Sequence, residues 1–84
     1  MDGPGLERAI LDLLDERAPK TICPSDVARR VGTESGWRDL MQPVRDAASR
    51  LVRQGEVEVT QKGTVVDVLT VRGPVRIRRP ESSG

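Results

Sequence analysis

Residues 37–63 read WRDLMQPVRDAASRLVRQGEVEVTQKG, and this stretch decides the fold because the spacing of its apolar residues changes partway along it. In the first part, apolar side chains recur every three or four positions, which places them on one face of an α-helix. This apolar stripe consists of Trp37, Leu40, Met41, Val44, Ala47, Ala48, Leu51 and Val52. Because Pro43 removes a backbone hydrogen bond, we predict one kinked helix or two abutting helical pieces that end at Gln54, before Gly55.

The second part of the stretch, EVEVTQ at 56–61, alternates polar and apolar residues, which is typical of a half-buried β-strand. The KG pair at 62–63 then predicts a turn. The valine-rich run TVVDVLTV at 64–71 is compatible with either a short strand or an ordered loop. PVRIRR at 74–79 alternates again, so we predict a second clear strand there.

Two shorter helices are predicted before this stretch. Four apolar residues share one face of the first helix: Leu6, Ile10, Leu13 and Leu14. This helix should end near Arg17, because Pro19 disfavours helical geometry at the residue before it. KTIC at 20–23 is predicted to be a brief extended segment. Pro24 suits the first turn of the second helix, and Gly32, expected in left-handed geometry, would end it.

The predicted fold class is α+β. The order of elements, α-β-α-α-β-β, is that of a winged helix, with a three-helix core and a C-terminal β-hairpin as the wing. An all-helical bundle would leave the alternating segments unexplained. We expect a single domain over residues 6–79, a flexible N-terminus at 1–5 and a flexible C-terminal tail at 80–84.

Length and charge limit the classes of function. A chain of 84 residues can bury one modest core but has no room for a deep enclosed active site. The net charge is only +1, yet residues 38–84 carry nine basic and six acidic groups, so this half is the one suited to an anionic partner. We see no signal peptide and no apolar run of the roughly 20 residues that span a bilayer, and therefore expect a cytoplasmic protein without membrane contact.

Three phrases of the sequence carry a family resemblance. Together, TICPSDVAR at 21–29, the stretch at 37–63 and GPVRIR at 73–78 resemble a small bacterial family catalogued as domain of unknown function 3253. The resemblance covers residues 6–79, nearly the whole chain. It implies a winged-helix fold in a bacterial protein, and it brings no established activity and no catalytic or binding residue.

Cys23 is the only cysteine and lies directly before the helix that starts at Pro24. A helix N-terminus favours a thiolate, and Lys20 is close in sequence, which are features of a reactive thiol. However, the chain has no histidine to act as a base and no second cysteine to resolve a sulfenic acid. We therefore interpret Cys23 as a structural residue at a tight junction, with redox sensing through its thiol as the alternative. A cysteine protease, a two-cysteine redox enzyme and a zinc site are excluded, so we predict a non-enzymatic protein without cofactor or metal.

The long helix carries the candidate binding residues. Opposite its apolar stripe lies a polar row formed by Arg38, Gln42, Arg45, Ser49 and Arg53. In a winged helix this helix usually enters the major groove of DNA, where Arg can read guanine and Gln can read adenine, while Ser can bond a phosphate. The alternative is an ordinary solvated surface, since Asp39 and Asp46 flank the row and Asp46 can pair with Arg50 four residues later.

The wing adds two candidate phosphate contacts, Lys62 and Arg72. Other charges of the predicted sheet are expected to neutralise each other across strands: Glu56 and Glu58 with Arg76 and Arg78. The sequence thus favours a DNA-binding protein of the kind that regulates transcription. Trp37 is most simply a core anchor.

The alternative function is a non-enzymatic protein–protein interaction module on the same scaffold. Four apolar residues would then contact a second copy or another protein: Val65, Val66, Val68 and Leu69. The competing interpretation is that this segment folds back over the small core.

Overall fold

The computed structural model describes residues 3–80, in which three α-helices precede a three-stranded antiparallel sheet. The helices are α1 (Gly3–Arg17), α2 (Pro24–Val31) and α3 (Met41–Arg53), and a 3₁₀ helix at Trp37–Leu40 leads directly into α3. The strands are β1 (Glu58–Gln61), β2 (Thr64–Val65) and β3 (Arg76–Arg78). The predicted α+β class is therefore confirmed.

Of the segments predicted to be flexible, residues 1–2 and 81–84 lie outside the described part of the chain. Residues 3–5 form the start of α1, which begins earlier than the apolar pattern indicated. Within residues 3–80, no helix has both the length and the apolar character needed to cross a membrane.

The order of the elements differs from the predicted one. The segment expected to form a strand before α2 contributes a single bridge, in which Ile22 and Ile77 exchange backbone hydrogen bonds of 2.9 and 2.6 Å. After α3 there are three strands instead of two, in the sheet order β2-β1-β3. The described residues thus follow the order α-α-α-β-β-β, because one bridge is too short to count as a strand.

One core joins the three helices to the inner face of the sheet. Its buried members are Leu6, Ile10, Leu13, Leu14, Ile22, Val27, Ala28, Val44, Ala47, Ala48, Leu51, Val57, Val59, Val68, Val75 and Ile77. Burial of each large aliphatic side chain is worth about 1.5–3 kcal/mol, so this cluster is the main source of stability. The predicted stripe of α3 is confirmed in its centre, whereas Val52 at its edge is 40% exposed.

The start of α2 is fixed by a side chain of its own first turn. The Asp26 carboxylate accepts a hydrogen bond of 3.0 Å from the Cys23 N–H, at the residue that precedes Pro24. Burial alone would raise the pKa of Asp26. The hydrogen bonds from the Cys23 backbone and side chain, with the positive charges of Arg17 and Arg76, outweigh this effect and lower that pKa.

The left-handed geometry predicted for Gly32 is wrong. Its backbone is extended, with φ −96° and ψ 178°, which any residue can adopt. Glycine is needed there for space, because a Cβ atom would lie only 2.9 Å from the Ala28 carbonyl oxygen and 2.9 Å from the Trp37 Cα. This close approach lets the chain pack tightly against the end of α2 before it enters α3.

The boundaries of α3 follow from one proline and one glycine. Pro43 lies in the first turn, where its missing N–H is not needed, and the 3₁₀ helix before it makes this region two abutting pieces. Gly55, at φ +77°, donates to the Val52 carbonyl, and the Glu56 N–H donates to the Leu51 carbonyl. These two bonds form a Schellman motif, so the predicted end of the helix at Gly55 is confirmed.

A two-residue turn connects β1 to β2. Lys62 and Gly63 both have positive φ, at 52° and 82°, as a type I′ hairpin requires. The pairing of Gln61 with Thr64 closes the turn, and the predicted KG turn is confirmed. Beyond β2 the valine-rich run leaves the sheet as a loop, so it contains both the short strand and the loop considered for it.

Candidate nucleic-acid interface

The described arginines fall into two groups according to whether a carboxylate neutralises them. Six form ion pairs with Asp or Glu: Arg8, Arg17, Arg30, Arg50, Arg78 and Arg79. The cations predicted to contact DNA form no ion pair with any residue between 3 and 80: Arg38, Arg45, Arg53, Lys62 and Arg72. Their charges remain uncompensated by direct contacts within the described part of the chain.

Arg38 lies at the start of the polar row, on the 3₁₀ helix. Its guanidinium is 4.6 Å from the centroid of the Trp37 ring, and the Arg29 guanidinium of α2 is 4.5 Å from the same centroid. Trp37 itself is partly buried against the core, as expected for an anchor. The indole therefore holds two exposed arginines near the junction of α2 and α3.

Gln42 is exposed on α3 and donates a 2.9 Å hydrogen bond to Asp46. The predicted pair of Asp46 with Arg50 is wrong, because Arg50 instead donates to Glu7 of α1 at 3.1 Å. The contact between the two helices offers Arg50 a partly buried partner that a single-helix pattern does not reveal. Asp46 thus stays beside the polar row.

Arg45 connects α3 to the loop before β3. Its Nη2 donates a 3.3 Å hydrogen bond to the Gly73 carbonyl oxygen. Its Nε is buried and has no hydrogen-bond partner within the described residues. A guanidinium has five N–H donors, and here most of them are not committed to a protein acceptor.

The same loop is held from its other side by Gln61, at the end of β1. The Gln61 side-chain amide donates to the Arg72 carbonyl at 2.6 Å and to the Pro74 carbonyl at 3.3 Å. Lys62 follows Gln61 directly and is exposed at the turn. Arg45 of α3 and Gln61 of β1 therefore both hold the short loop that carries Arg72, although the residues are distant in sequence, and Lys62 is the residue next to Gln61.

The C-terminal part of the polar row lies elsewhere. Ser49 and Arg53 border a groove of about 230 Å³, which we call the valine groove. Its lining residues are Ser49, Val52, Arg53, Val66, Asp67, Val68 and Leu69. The loop after β2 thus lies along this part of α3, so Ser49 and Arg53 are near an apolar surface rather than near the loop at Gly73.

The valine-rich segment is divided between core and surface. Val68 is buried, at 4% exposed, and so offers little area to the contact surface predicted for it, although it lines the valine groove. Val66 is half-buried against the core, whereas Val65 and Leu69 are 56% and 46% exposed. The segment therefore folds back over the core through Val68 and still exposes apolar side chains.

The predicted cross-strand pairing holds for one arginine of β3. Arg78 lies opposite Glu58 and pairs with it at 3.1 Å. For Arg76 the prediction is wrong, because the register places Thr60 opposite it. Its guanidinium donates instead to the Thr21 hydroxyl and carbonyl, at 2.8 and 3.1 Å.

Cys23 is half-buried at the mouth of a pocket of about 360 Å³ and has Ser25 as its polar neighbour. The distance from its Sγ to the Ser25 Oγ is 3.0 Å. Arg45 and Arg76 line the same pocket. No group of three or more potential metal-ligating side chains occurs among the residues that the structure describes.

A family model described as "Protein of unknown function (DUF3253)" matches residues 4–80 of the chain. The chain belongs to the DUF3253 family. The match confirms the resemblance drawn from the three sequence phrases. No curated protein matches the chain.

Two arginines of this DUF3253 domain were not assigned to the candidate interface from the sequence. Arg29 lies on α2 and approaches the interface only through Trp37. Arg76 was expected to be neutralised within the sheet but forms no ion pair with a carboxylate of the described residues, and it lines the same pocket as Arg45. The alternation of β3 did show that Arg76 points outwards, yet only the register reveals that no acid opposes it.

Proposed function

We propose that this DUF3253 protein is a winged-helix domain that binds duplex DNA and is not an enzyme. In this assignment, α2 and α3 form the helix-turn-helix, and α3 is the recognition helix. The bridge at Ile22, β3 and β1 correspond to the small sheet of a winged helix. The wing is then the chain between β1 and β3, residues 62–75, with β2 inside it.

The observation that carries the proposal is the division of the cations into two groups. Carboxylates neutralise Arg8 of α1, Arg30 of α2 and Arg79 directly after β3. Those of the polar row and of the wing have no such partner within residues 3–80. Cations without internal partners are the ones able to displace counterions from phosphates, which is the main source of DNA affinity.

The proposed interface has a groove-reading part and a phosphate-contacting part. Arg38 on the 3₁₀ helix, with Gln42 and Arg45 on the first half of α3, would face the major groove. Lys62 and Arg72 would contact phosphates from the wing. The position of Arg45 supports this arrangement, because its only hydrogen bond to a residue between 3 and 80, to the Gly73 carbonyl, is long and leaves other donors for a phosphate or a base edge.

Ser49 and Arg53 have a smaller role in this proposal than the sequence pattern gave them. Both border the valine groove, where apolar side chains of the wing lie beside them. A duplex seated over Arg45 and Arg72 would meet the first half of α3 before the second. We therefore expect substitution of Arg53 to affect duplex affinity less than substitution of Arg45.

The test compares single arginine-to-glutamine variants that lose the same charge. Arg72→Gln and Arg45→Gln should each weaken binding of a fluorescein-labelled mixed-sequence duplex about tenfold at low salt, since a hydrogen bond to a charged group is worth about 1.5 kcal/mol. Arg8→Gln is the matched control, because Arg8 is highly exposed on α1 and pairs only with Asp12 in the described structure. Fluorescence anisotropy gives the affinities, and circular dichroism verifies the fold of each variant.

Equal affinities for all three variants and the unmodified protein would contradict the proposed interface. Absence of measurable duplex binding at low salt would contradict the function itself. The protein-interaction alternative would then be the better account, and the observation in its favour is the exposed apolar rim of the valine groove.

A further inference from the structure

We propose that the valine groove is the surface on which a second copy of this chain docks, with two-fold symmetry. This inference goes beyond DNA binding and does not depend on it. It concerns the side of the molecule where the loop after β2 lies along the C-terminal half of α3.

The first observation is where the exposed apolar area lies. Among the described residues, three large hydrophobic side chains are exposed: Val52, Val65 and Leu69. Val52 and Leu69 line the valine groove, and Val65 is the immediate neighbour of Val66, which also lines it. Exposed apolar side chains scattered singly need no explanation, but their concentration around one groove is typical of a contact surface.

The second observation is the pair of opposite charges in the valine groove, which favours a second copy of the chain as the binding partner. Arg53 and Asp67 both line the groove, and neither forms an ion pair within residues 3–80. A two-fold axis places residue i of one copy against residue j of the other and also the reverse. Arg53 of each copy would thus meet Asp67 of the other, and two ion pairs would frame the apolar contact. Because the groove carries one positive and one negative residue, it is complementary in charge to the same groove on a second copy.

The third observation is that the patch continues onto the open edge of the sheet. β2 pairs with β1 on one side, and no described strand covers its other side. Such an edge can pair with its own copy in antiparallel fashion, as a two-fold axis requires. Val65 lies in this edge strand, so backbone pairing and apolar contact would occur at the same place.

The experiment measures self-association without nucleic acid, by sedimentation equilibrium over a concentration series. The unmodified protein should form dimers. Leu69→Lys should weaken the dimer at least about tenfold, since it places a charge in the apolar centre of the contact. Arg53→Glu and Asp67→Arg should each weaken it to a similar degree, about tenfold or more, because each places two like-charge pairs across the two-fold axis.

Mixing the two charge-reversal variants makes the test decisive. An equimolar mixture of Arg53→Glu and Asp67→Arg should form a heterodimer, because each of its two contacts again joins opposite charges. An attraction between the two residues within one chain cannot be restored by mixing. Asp67 also accepts a hydrogen bond from the Leu69 N–H, so Asp67→Asn, which keeps an oxygen acceptor, controls for distortion of the loop.

Three results would overturn the proposal. The unmodified protein could remain monomeric at the highest concentration reached. The Leu69→Lys variant could dimerise as well as the unmodified protein, which would move the interface elsewhere. The mixture could fail to form a heterodimer while both variants retain their fold. None of these results bears on duplex binding, because self-association is measured without nucleic acid.

Discussion

Asp26 holds the start of α2 through contacts with two other residues. Its Oδ2 accepts from the Cys23 N–H at 3.0 Å and from Arg17 of α1 at 3.1 Å. The sequence places Asp26 in the first turn of α2, where the positive end of the helix dipole favours an acidic side chain. It does not predict the contact with Arg17, since that contact depends on how α1 is placed beside α2.

The Asp26 contacts make the stability of the protein pH-dependent. The pKa of Asp26 is lower in the folded state than its ordinary value, so in acid the unfolded state binds more protons. The stability that the carboxylate contributes is therefore present above about pH 4 and is lost as the pH falls through the folded-state pKa. Asp26→Asn should lower the free energy of unfolding by about 1 kcal/mol at about pH 7, and by less as the pH approaches about 3.

Urea unfolding of both proteins across this pH range provides the check. Asp12→Asn is the control, because Asp12 is exposed and its ion pair with Arg8 lies on one helix surface, which is worth at most about 0.5 kcal/mol. A difference between Asp26→Asn and the unmodified protein that stays constant with pH would contradict this assignment.

Secondary-structure elements whose apolar residues recur at a regular spacing were predictable from the sequence alone. The three helices and β3 follow from spacings of apolar residues that only one type of structure satisfies. The apolar residues at 64–71 follow no single spacing. The sequence therefore does not show that Val68 is buried against the core while Leu69 beside it is exposed. Whether Ile22 forms a strand or a single bridge depends on the length of its partner β3, which is a property of the folded sheet.

A substitution of Lys62 in the hairpin turn should change stability and duplex affinity in opposite directions. Lys62 has a φ of 52°, a left-handed geometry that costs a lysine more than an asparagine, and Asn-Gly is the preferred pair for a type I′ turn. Lys62→Asn should therefore raise the free energy of unfolding by about 0.5 kcal/mol. The same change removes a proposed phosphate contact, so duplex affinity should fall.

Thermal unfolding and fluorescence anisotropy on the same preparation measure the two effects. Lys62→Arg keeps the charge and serves as the control for affinity. If Lys62→Asn lowers stability and affinity together, the turn acts on binding through folding and not through a phosphate contact.

The pattern of neutralised charges arises from contacts between elements that are distant in the sequence. Arg79 pairs with Asp15 of α1, and Arg50 with Glu7, although each pair is far apart in sequence. The sequence predicts the polar row on α3, because helical spacing determines which residues share one face of the helix. It cannot tell which cations stay unpaired, since their competitors for carboxylates come from other helices and strands. The folded structure also divides the row, leaving Arg45 beside the loop at Gly73 and Arg53 at the valine groove.

The salt dependence of duplex affinity tests the central claim that these unpaired cations contact phosphates. With two phosphate contacts, from Lys62 and Arg72, the logarithm of the association constant should fall against the logarithm of the potassium chloride concentration with a slope of about −1.8 or steeper. Arg72→Gln should reduce the steepness of that slope by about 1, whereas Arg8→Gln should leave it unchanged. A slope near zero, or an equal loss of slope in Arg8→Gln, would contradict the account.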